Sequence, residues 1–196
     1  GFKAQTYNTE NGEQIISKIT KKEVFTEQKS ESYVSKNFAL PNVKVGSVIE
    51  YEYTIRSPYF WSIDTWYFQD EIPSIYSELR FKTPEYFIFK TVFGGYFTPL
   101  VNERDDTFGS FGNGNTFKVE TSKWVYNDLP AFKAEEYITT SKDYLARVEF
   151  EIQGFRSPTG VYEDYLSSWE KIGKDLMEDE RFGKTLNRHG MVKELT

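Results

Sequence analysis

The side chains that nucleophilic catalysis needs are scarce in this chain. It contains no cysteine and one histidine, His189, which lies in a polar C-terminal segment. A serine or threonine nucleophile needs a base beside it, so a histidine-based triad would require that segment to fold back onto the rest of the protein. The plain interpretation of His189 is a solvated side chain. The lack of cysteine also excludes disulfides, thiolate zinc sites and cysteine nucleophiles.

Paired carboxylates are a second route to chemistry, because two acids across a cleft can hydrolyse a glycosidic bond. The candidates are the pairs Asp70-Glu71, Asp105-Asp106 and Glu135-Glu136. Each pair is adjacent in sequence, and neighbouring side chains of an extended chain diverge. We therefore interpret these pairs as solvated loop charges. A glycosidase stays as the alternative, and it needs two carboxylates that converge in a cleft.

A glycine-rich stretch, Gly109-x-x-Gly112-x-Gly114, has no predicted helix behind it. It therefore lacks the positive helix end that would hold a phosphate. Calcium ligation by Asp105, Asp106 and Asn113 is an alternative, but their spacing does not match an EF-hand loop. We interpret the stretch as the tip of a hairpin and predict neither a cofactor nor a metal site.

One aromatic cluster has a functional alternative. Residues 59–68 contain the rings of Tyr59, Phe60, Trp61, Trp66, Tyr67 and Phe68. Exposed rings can stack on sugars, whereas each buried ring stabilises a core by about 1.5–3 kcal/mol. We expect burial in the core or in a domain contact, with ligand stacking as the alternative. The predicted interaction surface is Tyr59, Phe60, Trp61, Trp66 and Phe68 with Trp169.

Composition favours a β-sheet protein of one domain with an extension, or of two small domains. The 196 residues include 17 Phe, 14 Tyr and 4 Trp, and aromatic rings pack well across neighbouring strands. The net charge of −6 and the lack of a basic stripe argue against a nucleic-acid partner. No apolar run approaches the length of roughly 18 residues that a membrane span needs. The chain starts at Gly1 without Met and is interpreted as a processed product or an excised fragment, so the missing signal peptide proves little.

Alternation and turn residues predict roughly eight to ten short strands. The predicted strands are residues 2–7, 13–20, 24–28, 32–40, 48–55, 59–69, 75–81, 86–93, 116–125 and 144–152. Asn11-Gly12 predicts a tight hairpin between the first two strands. Residues 101–115 are polar and are assigned to a hairpin tip.

Four predicted strands have informative faces. Residues 48–55 place Ile49, Tyr51, Tyr53 and Ile55 on one face and Glu50, Glu52 and Thr54 on the other, which predicts one buried face and one wet face. Residues 59–69 carry rings on both faces, so some layer must cover them. The residues predicted to face inward elsewhere are Ile75, Leu79, Phe81, Tyr144, Ala146, Val148, Phe150 and Ile152.

The periodicity changes after residues 154–160, the most linker-like stretch. Ser167-Ser168-Trp169-Glu170 fits a helix capping box. Trp169, Ile172 and Leu176 form a helical stripe, which a short second piece with Phe182 and Leu186 continues. The whole pattern predicts a mainly β protein, an antiparallel β-sandwich or open barrel (residues 1–155), with a short C-terminal helical extension (residues 156–196).

An ordered series of segments resembles the DUF3857 domain. The series is Lys3-Ala4-Gln5-Thr6-Tyr7-Asn8, Phe38-Ala39-Leu40-Pro41-Asn42-Val43-Lys44, Gly46-Ser47-Val48-Ile49-Glu50-Tyr51-Glu52-Tyr53, Trp66-Tyr67-Phe68-Gln69, Ile72-Pro73 and Asp128-Leu129-Pro130-Ala131-Phe132-Lys133-Ala134-Glu135-Glu136-Tyr137. That domain precedes a transglutaminase-like domain in large secreted or envelope proteins of Bacteroidota. Ser168-Trp169 resembles the start of the helices that lead into the transglutaminase part.

The resemblance implies a non-catalytic accessory β-sandwich in the periplasm, cell envelope or secreted fraction. Its implied partners are the downstream transglutaminase-like domain and a protein or peptide substrate, without membrane insertion. No residue matches the family's Cys-His-Asp site, and the further N-terminal strands of family members are missing before Lys3. The alternative function is a carbohydrate- or peptidoglycan-binding module that uses Trp61 or Trp66. An enzyme such as a glycosidase is the third hypothesis.

Overall fold

A computed structural model describes residues 2–30, 33–112, 114–165 and 168–186. The chain divides into two compact units, an N-terminal unit (Gly1–Pro58) and a C-terminal unit (Tyr59–Thr196). The strands are β1 (Phe2–Glu10), β2 (Glu13–Lys18), β3 (Val24–Gln28), β4 (Val34–Phe38), β5 (Val48–Tyr53), β6 (Trp66–Tyr67), β7 (Ser74–Pro84), β8 (Phe87–Gly94), β9 (Val101–Ser110), β10 (Thr116–Leu129), β11 (Arg147–Arg156) and β12 (Tyr162–Asp164). The α-helices are α1 (Trp169–Glu178) and α2 (Gly183–Leu186), and 3-10 turns occupy Lys21–Glu23 and Ser141–Asp143.

The predicted fold class is confirmed. The protein is mainly β, its sheets are antiparallel and do not close into a barrel, and a short helix follows near the C-terminus. Within the described residues, no helix combines the length and the apolar character needed to cross a bilayer.

The N-terminal unit contains a three-stranded sheet in the order β2-β1-β5 and a separate β3-β4 ribbon. β1 and β2 form the predicted hairpin, with Glu10 paired to Glu13. Its turn residues Asn11 (φ 54°) and Gly12 (φ 83°) both adopt positive φ, the backbone that a two-residue hairpin turn requires. Local turn chemistry therefore determines this connection.

The buried face of this sheet has small residues at its centre. Ala4, Thr6 and Asn8 of β1 are buried, and the register places Tyr51 opposite Ala4 and Ile49 opposite Thr6. Yet Ile49 and Tyr51 remain 43% and 59% exposed. The prediction of a buried face on β5 is therefore wrong. Alternation identifies residues that share a face, but burial requires a second layer over that face.

A loop between β4 and β5 covers the end of β1 through hydrogen bonds. The Asn8 amide donates to the Asn42 carbonyl (2.9 Å) and accepts from the Ser47 hydroxyl (2.5 Å). Asn42 adopts φ 54° and donates from its side chain to the Ser17 hydroxyl (2.9 Å). Lys44 forms an ion pair with Glu10 (2.6 Å). The polar residues of this loop thus fix it against the first hairpin.

The C-terminal unit contains two antiparallel sheets. One has the order β7-β10-β9, and in the other β11 pairs with β6, β8 and β12. Rings join the two sheets: Phe81 of β7 lies 4.3 Å from Phe150 of β11, and Trp124 of β10 lies 5.6 Å from Phe93 of β8 (ring centroids). The core between them is Phe68, Trp124, Tyr126, Leu129, Ala146 and Val148, with Leu79, Phe81 and Phe150 packed against it.

A buried glutamine ties the start of β11 to the end of β10. Gln69 is buried, its side-chain N–H donates to the Pro130 carbonyl (3.0 Å), and its side-chain oxygen accepts from the Ala146 N–H (3.2 Å). This arrangement satisfies a polar side chain that would otherwise be costly to bury.

Several strand predictions need correction. The predicted strand 59–69 is limited to β6, because only Trp66 and Tyr67 pair with a neighbouring strand, β11. Ile75, predicted to face inward, is exposed at the end of β7. The polar residues 101–110, assigned to a hairpin tip, form strand β9, which pairs with β10.

The two predicted C-terminal helices are present, and the N-cap of α1 is Ser168. The Ser168 hydroxyl accepts from the Lys171 N–H (3.1 Å) and caps α1. Glu170 hydrogen-bonds to its own backbone and to the Ser168 side chain, which lowers the pKa of its carboxyl group. The first serine of the predicted box, Ser167, lies outside the described residues. Residues 154–160, predicted as linker-like, are the end of β11 and the turn into β12.

Candidate interaction surface

A groove in the C-terminal unit brings two predicted surface residues together. Trp61, the β11 residues Phe150, Glu151 and Ile152, and the α1 residues Ser168, Trp169 and Ile172 line a groove of about 720 Å³. We call it the aromatic groove. Its volume lies in the range of ligand sites, about 300–1,000 Å³.

The two indoles of the aromatic groove are accessible. Trp61 is 51% exposed and Trp169 is 86% exposed. Trp61 makes edge-on contacts with Phe60 (4.9 Å) and Tyr59 (5.5 Å), and Phe60 lies 5.0 Å from Phe87 of β8. The chain of rings therefore anchors an otherwise irregular segment to a strand and leaves one face of Trp61 open.

The polar groups of the aromatic groove come from β11 and from the start of α1. Glu151 forms an ion pair with Lys90 of β8 (3.3 Å), and both side chains are about half exposed. An exposed pair of this kind stabilises the fold by at most about 1 kcal/mol. The Glu151 carboxylate can therefore give up Lys90 and bind a ligand with little loss of stability.

The other predicted surface residues are distributed differently. Trp66 and Tyr67 are exposed on β6, while Phe68 is buried against Tyr126 (4.4 Å between ring centroids). Phe68 therefore belongs to the core and does not reach the surface. The remaining five rings are exposed, so the expected burial in the core is wrong for them. Their burial in a domain contact stays a prediction.

Sequence reasoning missed the part of the groove that comes from β11. Phe150 and Ile152 were assigned inward positions on the strand, and nothing in the sequence links them to Trp61. Ile172 was recognisable as part of the helical stripe. The placement of that stripe and β11 around one groove depends on the tertiary fold and has no local signal in the sequence.

Two observations on titratable side chains concern the candidate chemistry in the described part of the chain. No group of three or more His, Asp or Glu side chains is placed there to hold a metal. Four carboxyl groups have a shifted pKa, and in each of them hydrogen bonds lower it: Glu23, Glu50, Glu78 and Glu170. A general acid needs the opposite shift.

The residues proposed for calcium have other partners or are not described. Asp106 of β9 pairs with Lys118 of β10 (2.8 Å), a contact that raises the pKa of Lys118. Asp105 is its neighbour on the same strand, so the two side chains point to opposite faces. Asn113 and His189 lie outside the described residues.

A family model provides the identification. The model described as a domain of unknown function with a solved structure, DUF3857, matches residues 2–133. The chain belongs to the DUF3857 family. Comparison with curated proteins and with solved structures found no significant match. The match covers the N-terminal unit and continues to the end of β10, whereas Ser168-Trp169 lies beyond it.

Several segments that carry the DUF3857 resemblance have structural roles here. Asn8, Asn42 and Ser47 form the network that fixes the loop before β5. Phe68 and Gln69 lie in the core of the C-terminal unit. These residues specify the fold, so they do not by themselves indicate a function.

Proposed function

We propose that this DUF3857 domain is a non-catalytic accessory module of a transglutaminase-like envelope protein of Bacteroidota. In this role it positions the catalytic domain or its protein or peptide substrate, in the periplasm, the cell envelope or the secreted fraction. The transglutaminase context and the location follow from the ordered resemblance described above. The observation that carries the interaction role is the exposed apolar surface around the aromatic groove.

That surface continues from the groove along α1. Trp169, Leu176 and Met177 of α1 are exposed, as is Phe182, which follows the helix. Contiguous apolar surface of this kind marks interaction sites on soluble proteins, whereas isolated exposed apolar residues need no explanation. Large rings such as Trp169 are also the residues that contribute most at interfaces.

The first test is hydrogen exchange in the protein encoded by the complete reading frame, compared with residues 1–196 alone. We expect slower exchange in the longer protein at residues 59–68 and 169–176. Trp169→Ala should remove this added protection, while Phe108→Ala, which truncates an exposed ring on β9, should leave it unchanged. Equal exchange in both proteins at these residues would count against docking there.

The reading frame beyond Thr196 supplies an independent test. The proposal expects a Cys and a His in a papain-like context after this residue. A different domain in that position would overturn the transglutaminase context and leave the aromatic groove to be explained by another partner.

A carbohydrate- or peptidoglycan-binding function is the second candidate, favoured by one observation. Two exposed indoles, Trp61 and Trp169, share a groove with a carboxylate, Glu151, and a hydroxyl, Ser168. Rings that stack on sugars, combined with polar groups for hydroxyls, form a typical glycan site. Soluble peptidoglycan fragments should then bind to residues 1–196 and lose affinity in Trp61→Ala but not in Phe108→Ala. Binding that is absent, or that is equal in both variants, would exclude this function.

A further inference from the structure

A second groove lies within the N-terminal unit. It has a volume of about 500 Å³ and is lined by Phe2, Val34, Lys36, Phe38, Tyr51, Tyr53, Thr54, Ile55 and Arg56. We call it the edge groove. Its lining contains β4 residues on one side and the end of β5 on the other, and no acidic residue contributes to it.

The edge groove lies beside the end of β5, a strand whose outer edge has no partner in the described residues. β5 pairs with β1 on one side and ends the sheet on the other. The groove lies over the face that carries Phe2, Tyr51 and Tyr53, since Phe2 of β1 pairs with Tyr53. It continues along residues 54–56, which follow β5 and pair with no strand in the described residues. A free edge offers a row of N–H and C=O groups that can pair with an added strand.

The apolar side chains of the edge groove recur at every second position. Tyr51 and Tyr53 stack on each other with ring centroids 6.2 Å apart, and Ile55 continues the row. Phe38 of β4 packs 4.3 Å (ring centroids) from Phe2 of β1, the residue that pairs with Tyr53. An extended ligand would place alternate side chains against this row, because its own side chains repeat with the same period of two.

Charge identifies the type of ligand. Lys36 and Arg56 line the edge groove, are exposed, and form no ion pair with a described carboxylate. The chain as a whole carries a net charge of −6, so two cations without acidic neighbours in the groove run against the overall balance. A ligand with carboxylates would complement them.

We propose that the edge groove binds an extended acidic peptide, which adds as a strand to the free edge of β5. Apolar side chains of the peptide pack against Tyr51, Tyr53 and Ile55, and its Asp or Glu side chains pair with Lys36 and Arg56. This site is separate from the aromatic groove and does not depend on the function proposed for that groove. It would give the domain a second peptide-binding surface.

The test uses residues 1–196 and three labelled ten-residue peptides in a fluorescence anisotropy titration. The first alternates valine or isoleucine with glutamate, the second carries lysine in place of glutamate, and the third has the first sequence with alternate peptide nitrogens methylated. We expect the acidic peptide to bind at least about tenfold more tightly than the other two, which corresponds to about 1.4 kcal/mol. Methylation should weaken binding because it removes the N–H groups that pair with β5.

Charge reversal locates the binding. The double variant Lys36→Glu/Arg56→Glu should lose the acidic peptide and prefer the lysine peptide. The matched control Lys82→Glu/Lys133→Glu changes the net charge equally at exposed lysines of the C-terminal unit and should retain the wild-type preference. Circular dichroism would show that both variants fold.

Four results would overturn the proposal: no binding of any peptide, equal binding of the acidic and lysine peptides, full binding of the methylated peptide, or equal effects of the two double variants. Light scattering adds a fifth. A dimer that forms at the peptide concentrations used, excludes the peptide and disappears in Lys36→Glu/Arg56→Glu would assign the edge to a second copy of this chain instead.

Discussion

The two units of this protein contain similar kinds of residues but stabilise their sheets differently. The C-terminal unit buries Phe68, Trp124 and Tyr126 between two sheets. The N-terminal unit buries only small or polar side chains in its described residues, Ala4, Thr6 and Asn8, although it also contains several tyrosines and phenylalanines. Aromatic content therefore does not produce a core by itself. In the C-terminal unit, the core forms because a second sheet faces the first one and covers its rings.

This difference changes what holds each unit together. Burial of large rings stabilises the C-terminal unit by an area-dependent term. In the N-terminal unit, hydrogen bonds of Asn8 and Asn42 hold the loop to the hairpin, and the Thr6 hydroxyl is buried without a partner in the described part of the chain. An unsatisfied buried group is unfavourable, so we expect the N-terminal sheet to open more readily.

The largest expected effect comes from removing a core ring. Trp124→Ala should lower the free energy of unfolding of the C-terminal unit by about 3–5 kcal/mol, because it leaves a cavity between the sheets. It also removes the indole N–H that donates to Asn102 (3.0 Å). Urea unfolding measures the loss. Phe108→Ala, which truncates a ring that is 76% exposed on β9, should change the value by less than about 0.5 kcal/mol. Similar losses in both variants would contradict a ring-based core.

In the N-terminal unit, the largest loss of stability should come from replacing a buried polar residue. Asn8→Leu leaves the Asn42 carbonyl and the Ser47 hydroxyl without their partner, at a cost of about 1–3 kcal/mol. Native-state hydrogen exchange at the amides of β1 and β5 measures this cost. Thr9→Val, the next residue on the exposed face of β1, serves as the control and should leave exchange nearly unchanged. If Asn8→Leu stabilised the unit, apolar burial rather than hydrogen bonding would limit it.

The smallest effect concerns an exposed cluster on the other face of the same sheet. Hydrogen bonds from the Tyr7 hydroxyl (2.5 Å) and from the Gln5 amide (2.7 Å) lower the pKa of the Glu50 carboxyl group. A lowered pKa gives stability that is present above the ordinary carboxyl pKa and is lost as the pH falls through the folded-state pKa. Tyr7→Phe should therefore raise the pKa of Glu50 toward its ordinary value, and an NMR titration of the side-chain carboxyl carbon measures it. An unchanged pKa would show that Tyr7 is not the main donor.

Local signals in the sequence predicted much of the fold. The Asn11-Gly12 hairpin was predictable because both turn residues adopt positive φ regardless of tertiary context. The inward positions of Ala146 and Val148 were predictable because β11 is paired along its length and has a core on one face. In both cases the pattern and the tertiary environment agree.

The failures have a common physical cause. Alternation on β5 indicated a buried face, but the small β3-β4 ribbon leaves Ile49 and Tyr51 of that face exposed. Rings in residues 59–69 indicated a strand, but pairing is available only to Trp66 and Tyr67. Strand β9 was missed because it lies at the edge of its sheet and most of its residues are exposed. Each case depends on which neighbour is present, and a single sequence does not encode that neighbour locally.

The candidate site was predictable only in part. Trp61 and Trp169 were recognised as surface candidates, but their place in one groove depends on how α1, β11 and residue 61 are arranged in the tertiary fold. The edge groove was not predicted, because its lining combines β4 with β5 and the pattern of β5 indicated burial. Phe68, by contrast, had the same sequence signal as its neighbours and lies in the core.

The placement of the tryptophans has a spectroscopic consequence. All four, Trp61, Trp66, Trp124 and Trp169, lie in the C-terminal unit, and the N-terminal unit contains tyrosines but no tryptophan. Indole emission therefore follows the unfolding of the C-terminal unit alone, and Trp124 is the emitter that a soluble quencher should reach last. A melting curve recorded by tryptophan fluorescence would not detect the loss of the N-terminal sheet. Coincidence with the far-ultraviolet circular dichroism curve would show that the two units unfold together.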